Sequence, residues 1–272
     1  MPELPEVETI ATDLRHLLAG AEFTGVEVAW PSSVAMPTVD EFVRQVPGRK
    51  ILDVNRRGKF LVLSLSGPSF LLIHLRMSGR VCVKPAIASL DSHVRLIFHL
   101  SDGRRLFFSD PRKFGRVYWT TDPDLVLGDL GPEPLAENFT AKDLITLLAA
   151  HKGALKPLLL NQTILAGLGN IYTDEALFVA GLHPLRKASM LSATEGERLY
   201  EAIREVLGQA IVHRGTTLTD ERYLDAECQP GSQAQYLCVY RRVGEPCPRC
   251  DAPIERITVG NRGTYFCPRC QR

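Results

Sequence analysis

The sequence predicts an α+β multidomain chain: an N-terminal β-sandwich flanked by helices, a mostly helical C-terminal domain, and a small zinc ribbon at its end. Three observations carry this. Residues 23–119 are dominated by short runs rich in β-branched and aromatic residues, separated by Gly, Pro and Asp. After residue 134 the apolar period becomes helical. The last 26 residues hold four of the seven cysteines, in two Cys-x-x-Cys pairs. The length of 272 residues favours two domains with a small appended module.

Taken in order, Glu6–Leu18 places Val7, Ile10, Ala11, Leu14, Leu17 and Leu18 at helical spacing, so one helix opens the chain. Strand-like runs follow, such as Lys59–Leu65 and Arg104–Ser109. Asp122–Pro134, with four acidic residues, no basic ones and three prolines, reads as a linker. Helices are then expected over Ala141–Ala150, Leu155–Leu160, Asn170–Ala180 and Ala193–His213, followed by a polar loop to about Gln235. The expected divisions are therefore 1–121, the linker 122–134, a helical domain 135–240 and the metal-binding tail 241–272.

The composition, 45% hydrophobic and 23% charged, excludes a largely disordered or coiled-coil chain. A net charge of +1, from 32 Lys+Arg against 31 Asp+Glu, argues against an indiscriminately basic nucleic-acid coat protein but permits local patches. No apolar run is long enough for a membrane span, and the glutamate-rich first eight residues lack the layout of a signal peptide. A cytoplasmic protein is expected. In that compartment Cys82, Cys228 and Cys238 are read as buried small hydrophobes.

Four segments carry the chemistry. Cys247-Pro-Arg-Cys250 and Cys267-Pro-Arg-Cys270, sixteen residues apart, have the spacing that sets four thiolates around one zinc ion. Four thiolates leave no open coordination position, so the metal is structural. Arg262, near the expected hairpin tip, can reach a phosphate. At the other end, removal of Met1 would give Pro2 a free secondary amine, a nucleophile toward a sugar C1′, with Glu3 and Glu6 as proton-transfer candidates. Those eight residues alone favour a plainer reading, a proline-punctuated helix start with acidic residues suited to the helix dipole. The basic stretches 49–59 and 104–116 each hold five Lys/Arg and one Asp. The first contains a turn-like Arg56-Arg57-Gly58-Lys59; the second sets Phe114 beside Arg112 in a Pro/Gly loop, the material of a base-stack wedge. Finally, Gly167 and Gly169 permit positive φ, and Asn170 is a good N-cap for the helix that follows.

Together these segments resemble the bacterial formamidopyrimidine-DNA glycosylase/endonuclease VIII family, and more closely its formamidopyrimidine branch. The resemblance rests on residues 2–9, Arg57-Gly-Lys59, His74-Leu-Arg-Met-Ser-Gly79, Asp110-Pro-Arg-Lys-Phe-Gly115, Ala166-Gly-Leu-Gly-Asn-Ile-Tyr172 with Asp174-Glu175, and Arg262–Gln271, in family order. It overturns the plain reading of the N-terminus. It implies a helix-two-turns-helix in the helical domain, DNA across the cleft between the domains, and a glycosylase and abasic-site lyase acting on oxidised purines in duplex DNA during base excision repair. Pro2 would displace the base, Glu3 would serve in acid/base chemistry, and Lys59 would contact a phosphate and assist. Glu6 would sit by the flipped nucleoside. Met77, Arg112 and Phe114 would fill the vacated stack, which offsets the cost of flipping. Asn170 and Arg262 would grip phosphates, with Lys156 nearby and His93 as a further DNA-binding candidate. The implied partner is DNA bearing oxidised bases or abasic sites, met by a monomer in the bacterial cytoplasm at the nucleoid.

Two positions depart from the pattern. Asn161 stands where Asp is usual, and Cys228 where Gly is usual, in the loop that covers the flipped base in the family. Lesion preference is the property this touches, and an oxidised-pyrimidine glycosylase of the endonuclease VIII kind stays open. So does a non-catalytic lesion-binding protein, should Met1 be retained.

Overall fold

The structure, a computed structural model, describes residues 2–218 and 223–272. Met1 and 219–222, the latter within the polar loop, lie outside the described residues. The chain divides into two compact units, 1–129 with 213–234, and 130–212 with 235–272. The segment 213–234, grouped by sequence with the helices, thus returns to the first unit.

In the first unit α1 (Leu4–Leu18) leads into β1 (Phe23–Val28), β2 (Val34–Met36), α2 (Val39–Gln45), β3 (Ile51–Arg57), β4 (Phe60–Leu65) and β5 (Ser69–His74). Four more strands follow, β6 (Arg80–Pro85), β7 (Val94–Leu100), β8 (Arg104–Ser109) and β9 (Arg116–Thr120), and then the short α3 (Asp124–Leu127). They form two sheets, β1-β7-β8-β6 and β2-β9-β5-β4-β3, antiparallel except where β2 runs parallel to β9. Strand β7 alternates buried and half-buried residues, as one face on a core and one toward water require. Phe23, Phe98, Leu106 and Phe108 from one sheet meet Ile51, Leu63, Leu71 and Ile73 from the other, and α1 adds Val7, Ile10, Leu14 and Leu18. Tyr223 and Ala226 complete this core, which explains why the returning segment belongs here. The expected linker holds α3, a helical turn, and the boundary between the units falls after it.

The second unit holds α4 (Ala141–Ala149), α5 (Leu155–Leu160), α6 (Asn170–Ala180) and α7 (Ala193–Val212), then the hairpin of β10 (Glu255–Val259) and β11 (Arg262–Phe266). The helices follow the sequence expectation closely because their starts are written locally: Thr140 and Asp143 form a capping box for α4, as Ser192 and Glu195 exchange hydrogen bonds at the start of α7. Helix α6 is buried nearly all round, as a central helix must be. It ends on Gly181 at φ 71°, with the Leu182 amide donating to the Leu177 carbonyl, a Schellman-type stop. No helix among the described residues is long and apolar enough to cross a membrane.

Candidate active site and nucleic-acid interface

The N-terminus is built in, not frayed. Glu3 is the N-cap of α1 and Pro5 lies in its first turn, so the chain enters the helix with its direction fixed. Pro2, Glu3 and Glu6 are all buried. The Glu6 carboxylate accepts from the Glu3 amide at 2.8 Å through Oε2 and from the Thr216 amide at 2.7 Å through Oε1. One carboxylate therefore joins the start of the chain to the returning segment. Next to it Gly215 has φ 80°, and a Cβ there would meet Glu6 Cγ and Oε1 at 2.9 Å and the Tyr223 ring at 3.0 Å. The Tyr223 hydroxyl donates to the Arg214 carbonyl at 3.0 Å; burial, and then the Glu6 charge, push its pKa well up, so the donor keeps its proton.

Lys59 is presented by a tight hairpin. Arg57 pairs with Phe60, leaving Gly58 and Lys59 as a two-residue loop, and only Gly58, at φ 56°, has positive φ, the pattern of a type II′ turn. Arg56 Nε donates to Glu8 at 2.8 Å, tying this hairpin to α1, and Lys59 is buried. His74, opposite Phe60 on β5, packs its ring against that phenyl at 4.5 Å and accepts the Arg76 amide through Nδ1 at 3.0 Å. Burial, with the Arg76 and Lys59 charges, lowers its pKa to about 3, so His74 is neutral near Lys59.

The 110–115 loop owes its shape to Asp110, which sequence reasoning did not single out as its organiser. Its buried carboxylate accepts from the Ser78 hydroxyl at 2.5 Å, the Arg112 amide at 3.1 Å and the Gly115 amide at 2.7 Å. Ser78 follows Met77, so the two candidate wedge segments share one anchor. A Cβ on Gly115 would meet the Phe108 ring at 2.2 Å, which forces glycine there. Outside the anchor Arg112 and Phe114 are exposed, the guanidinium 4.9 Å from the ring centroid, and Met77 is half-buried. His93 is exposed, and its carbonyl accepts the Asp110 amide at 2.9 Å. The cationic and aromatic tips are thus in water while their backbones are fixed.

In the second unit Gln162 organises the glycine-rich turn. Its Nε2 donates to the Leu160 and Leu168 carbonyls and its Oε1 accepts the Gly167 amide, all at 2.9 Å. Asn161 accepts the Thr163 amide and hydroxyl through Oδ1 at 3.1 and 3.0 Å, work that needs one side-chain oxygen, so its departure from Asp changes nothing in this turn. Two expectations are corrected. Gly167 has φ 97°, but Gly169 is extended and is itself the N-cap of α6. Asn170 is the first helical residue instead, and its Nδ2 donates 3.0 Å to the Gly263 carbonyl of β11. Lys156 is fully buried, paired with Asp174 at 2.7 Å and donating to the same carbonyl at 3.1 Å. Burial raises Asp174 to about 7 against the opposing pull of Lys156. Arg262, exposed, opens β11 directly after the Gly260-Asn261 turn, one residue past the tip.

The four tail cysteines have their sulfurs within 4.8 Å of one another, with Cys247–Cys270 at 3.8 Å and Cys250–Cys267 at 3.5 Å. A zinc–thiolate tetrahedron with bonds of about 2.3 Å has sulfurs about 3.8 Å apart, so the residues fit that ion. The Arg249 and Cys270 amides donate to Cys247 and Cys267 Sγ at 3.4 Å, the contacts that support thiolate charge. Cys228 and Cys238, read as buried, are half-buried.

Residues 1–117 match the formamidopyrimidine-DNA glycosylase N-terminal domain, 130–222 the H2TH domain of the same enzyme, and 244–272 a zinc finger found in FPG and IleRS. The formamidopyrimidine-DNA glycosylase of Chloroflexus aurantiacus is 46% identical over 274 residues, covering 100% of this chain and 98% of that protein. That of Pelotomaculum thermopropionicum is 45% identical, with coverage of 100% and 99%. Among solved structures, the MutM (Fpg) protein of Thermus thermophilus superposes with a TM-score of 0.90 at 43% identity, covering 99% of this chain and 98% of the other. Lactococcus lactis Fpg in complex with abasic-site DNA gives 0.92 at 33%, with 99% of both chains covered. Agreement from end to end, at identities that unrelated chains sharing a fold do not reach, has one reading: this chain belongs to the formamidopyrimidine-DNA glycosylase family.

Proposed function

We propose that the chain is a bifunctional DNA glycosylase and abasic-site lyase of base excision repair, removing oxidised purines from duplex DNA. The observation that carries this is the Glu6 carboxylate bridging the Glu3 and Thr216 amides, which holds the residue before Glu3, Pro2, in a buried and fixed position. With Met1 removed, the Pro2 amine attacks C1′ of the extruded nucleotide as the damaged base leaves; the amine loses its proton, and the C1′–O4′ bond then breaks with protonation of O4′, giving a ring-opened iminium. The iminium acidifies the C2′ proton, Glu3 moves protons, and Lys59 holds a phosphate and assists the eliminations on both sides of the sugar. Glu6 orients the opened sugar. Met77, Arg112 and Phe114 fill the vacated stack, while Asn170, Arg262 and His93 contact DNA. The four cysteines hold one structural zinc ion, which stiffens the hairpin carrying Arg262 and takes no part in bond breaking.

The division of labour runs 1–121, with the returning 213–234, for catalysis, and the rest of 135–240 with 241–272 for gripping DNA, in a monomer of the bacterial cytoplasm. Cys228 adopts φ 64°, the conformation glycine takes without strain, which supports an unaltered path for the turn around it and hence the purine preference. Borohydride added to the protein with 8-oxoguanine duplex should leave a covalent adduct on the Pro2 peptide. Absence of an adduct, or an adduct undiminished when the Pro2 amine is blocked, would refute the mechanism. A stronger adduct on thymine glycol would move the preference to pyrimidines.

A further inference from the structure

The returning segment sets one thiol, Cys228, beside the β6 thiol of Cys82, and the excision chemistry uses neither. Cys82 lies on β6, an edge strand, and Cys228 in the 225–229 turn. Both pack on one apolar patch with Val94 and Phe107. The turn lies along the free edge of β6: the Val83 amide donates to the Ala226 carbonyl at 3.0 Å, and the Cys82 thiol to the Asp225 carbonyl at 3.5 Å. The turn itself is held by Asp225, whose Oδ1 accepts the Glu227 and Gln229 amides at 3.0 and 2.8 Å and whose carbonyl accepts the Cys228 amide at 3.0 Å. The Cys82 thiol and the Cys228 amide thus converge on one carbonyl, that of Asp225, which brings the two cysteines to one place.

We propose that Cys82 and Cys228 form a modification site, a dithiol that a hydroperoxide oxidises to a disulfide, pinning the 225–229 turn to β6. Cys228 is the attacking sulfur. It is half-buried where Cys82 is buried, and the neighbouring Cys82 thiol, aided by the Lys84 and Arg80 charges, lowers its pKa against burial and Asp225, while the Cys228 thiol and burial raise that of Cys82. Cys238, outside the zinc site, is pushed up to about 11 by burial and Glu175 and is the poorer nucleophile. The Cys228 thiolate attacks the outer peroxide oxygen, breaking the O–O bond to give a sulfenic acid and an alkoxide that takes a proton from water. The Cys82 sulfur then displaces hydroxide from that sulfenic acid, its own proton leaving with the hydroxide as water. Two thiols lose two electrons and two protons, and the hydroperoxide is reduced to alcohol and water. In a reducing compartment such a bond is transient, as befits a sensor. Asp225 Oδ2 also accepts from Arg214 Nε at 3.2 Å, so the pinned turn adjoins the segment in which Gly215 and Thr216 meet Glu6.

The test treats the zinc-loaded full chain with equimolar hydrogen peroxide, then alkylates and maps its peptides. The expected result is a cross-linked peptide pair through Cys82 and Cys228, loss of two alkylatable thiols, zinc retained, and both thiols returned by a dithiol reductant. In Cys82→Ala the reaction should stop at a Cys228 sulfenic acid that dimedone traps. Cys228→Gly suits the backbone at that position, so this variant should fold and keep Cys82 alkylatable after peroxide. Cys82 and Cys228 both alkylated in treated wild type, Cys228 recovered as sulfinic acid beside a free Cys82, or cross-links confined to the zinc cysteines would each overturn the proposal.

Discussion

A methyl group on Gly215 would occupy the space of the Glu6 carboxylate and the Tyr223 ring, and the backbone there is left-handed as well. Gly215→Ala should therefore lose about 2–3 kcal/mol of stability, from φ strain and overpacking together, measured by urea unfolding. Its single-turnover excision should fall further than its DNA binding, because the displaced group is the one that positions Glu3. Wild-type excision in this variant would remove Glu6 from that role. The Glu6 side chain is a warning about single residues read from sequence. Its place near the N-terminus was legible, but its partner is the Thr216 amide, 210 residues away, and no local pattern encodes that contact. Asp110 is similar: its motif was visible, while its work of holding three groups from two loops appears only when the strands are paired.

At the scale of elements, α5, α6 and the zinc hairpin are joined by the buried Lys156–Asp174 pair. Breaking one member of such a pair leaves an uncompensated charge, so Lys156→Met should destabilise the protein by about 3–5 kcal/mol at alkaline pH. The sign of the pH dependence follows from Asp174, whose folded pKa of about 7 lies above the ordinary 3.8. Loss of Lys156 removes the main lowering influence and raises that pKa further. Above it the lone carboxylate is charged and buried; as pH falls through it the group takes a proton and the charge disappears. The cost should therefore be larger at about pH 8.5 than at about pH 5.5, read as the difference in urea midpoints between variant and wild type. A cost independent of pH would mean that packing of the Lys156 stem, and not charge, is what was lost. Zinc chelation acts on the same hairpin: it should weaken DNA binding, checked by fluorescence anisotropy, while the borohydride adduct at saturating protein survives, since the ion supplies no nucleophile.

Across the whole molecule the net charge of +1 is a sum of opposites. Residues 49–59, 104–116 and 241–272 are each +4, whereas 1–8, 122–133 and 195–205 are −3, −4 and −2. Affinity for lesion duplex should fall steeply with added salt, log K against log salt having a slope of about −0.9 for each phosphate neutralised. A flat response in a salt titration would exclude these patches as the footprint. Arg262, exposed at the end of a fixed backbone, is the side chain whose removal should reduce that slope.

The sequence by itself determined the elements with local signatures. The helix bounds follow capping boxes and apolar spacing, the Gly58-Lys59 and Gly260-Asn261 turns follow from glycine and asparagine placement, and the zinc site follows from cysteine spacing. Only the tertiary structure decided where 213–234 belongs, what Glu6 and Asp110 hold, that Lys156 is buried against Asp174, and that the turn carrying Cys228 lies along Cys82. The physical reason is the range of the interactions. Periodicity, capping and turn chemistry act within a few residues and are written in the order of the chain, whereas burial and pairing of polar groups depend on which distant segments the closed core brings into contact.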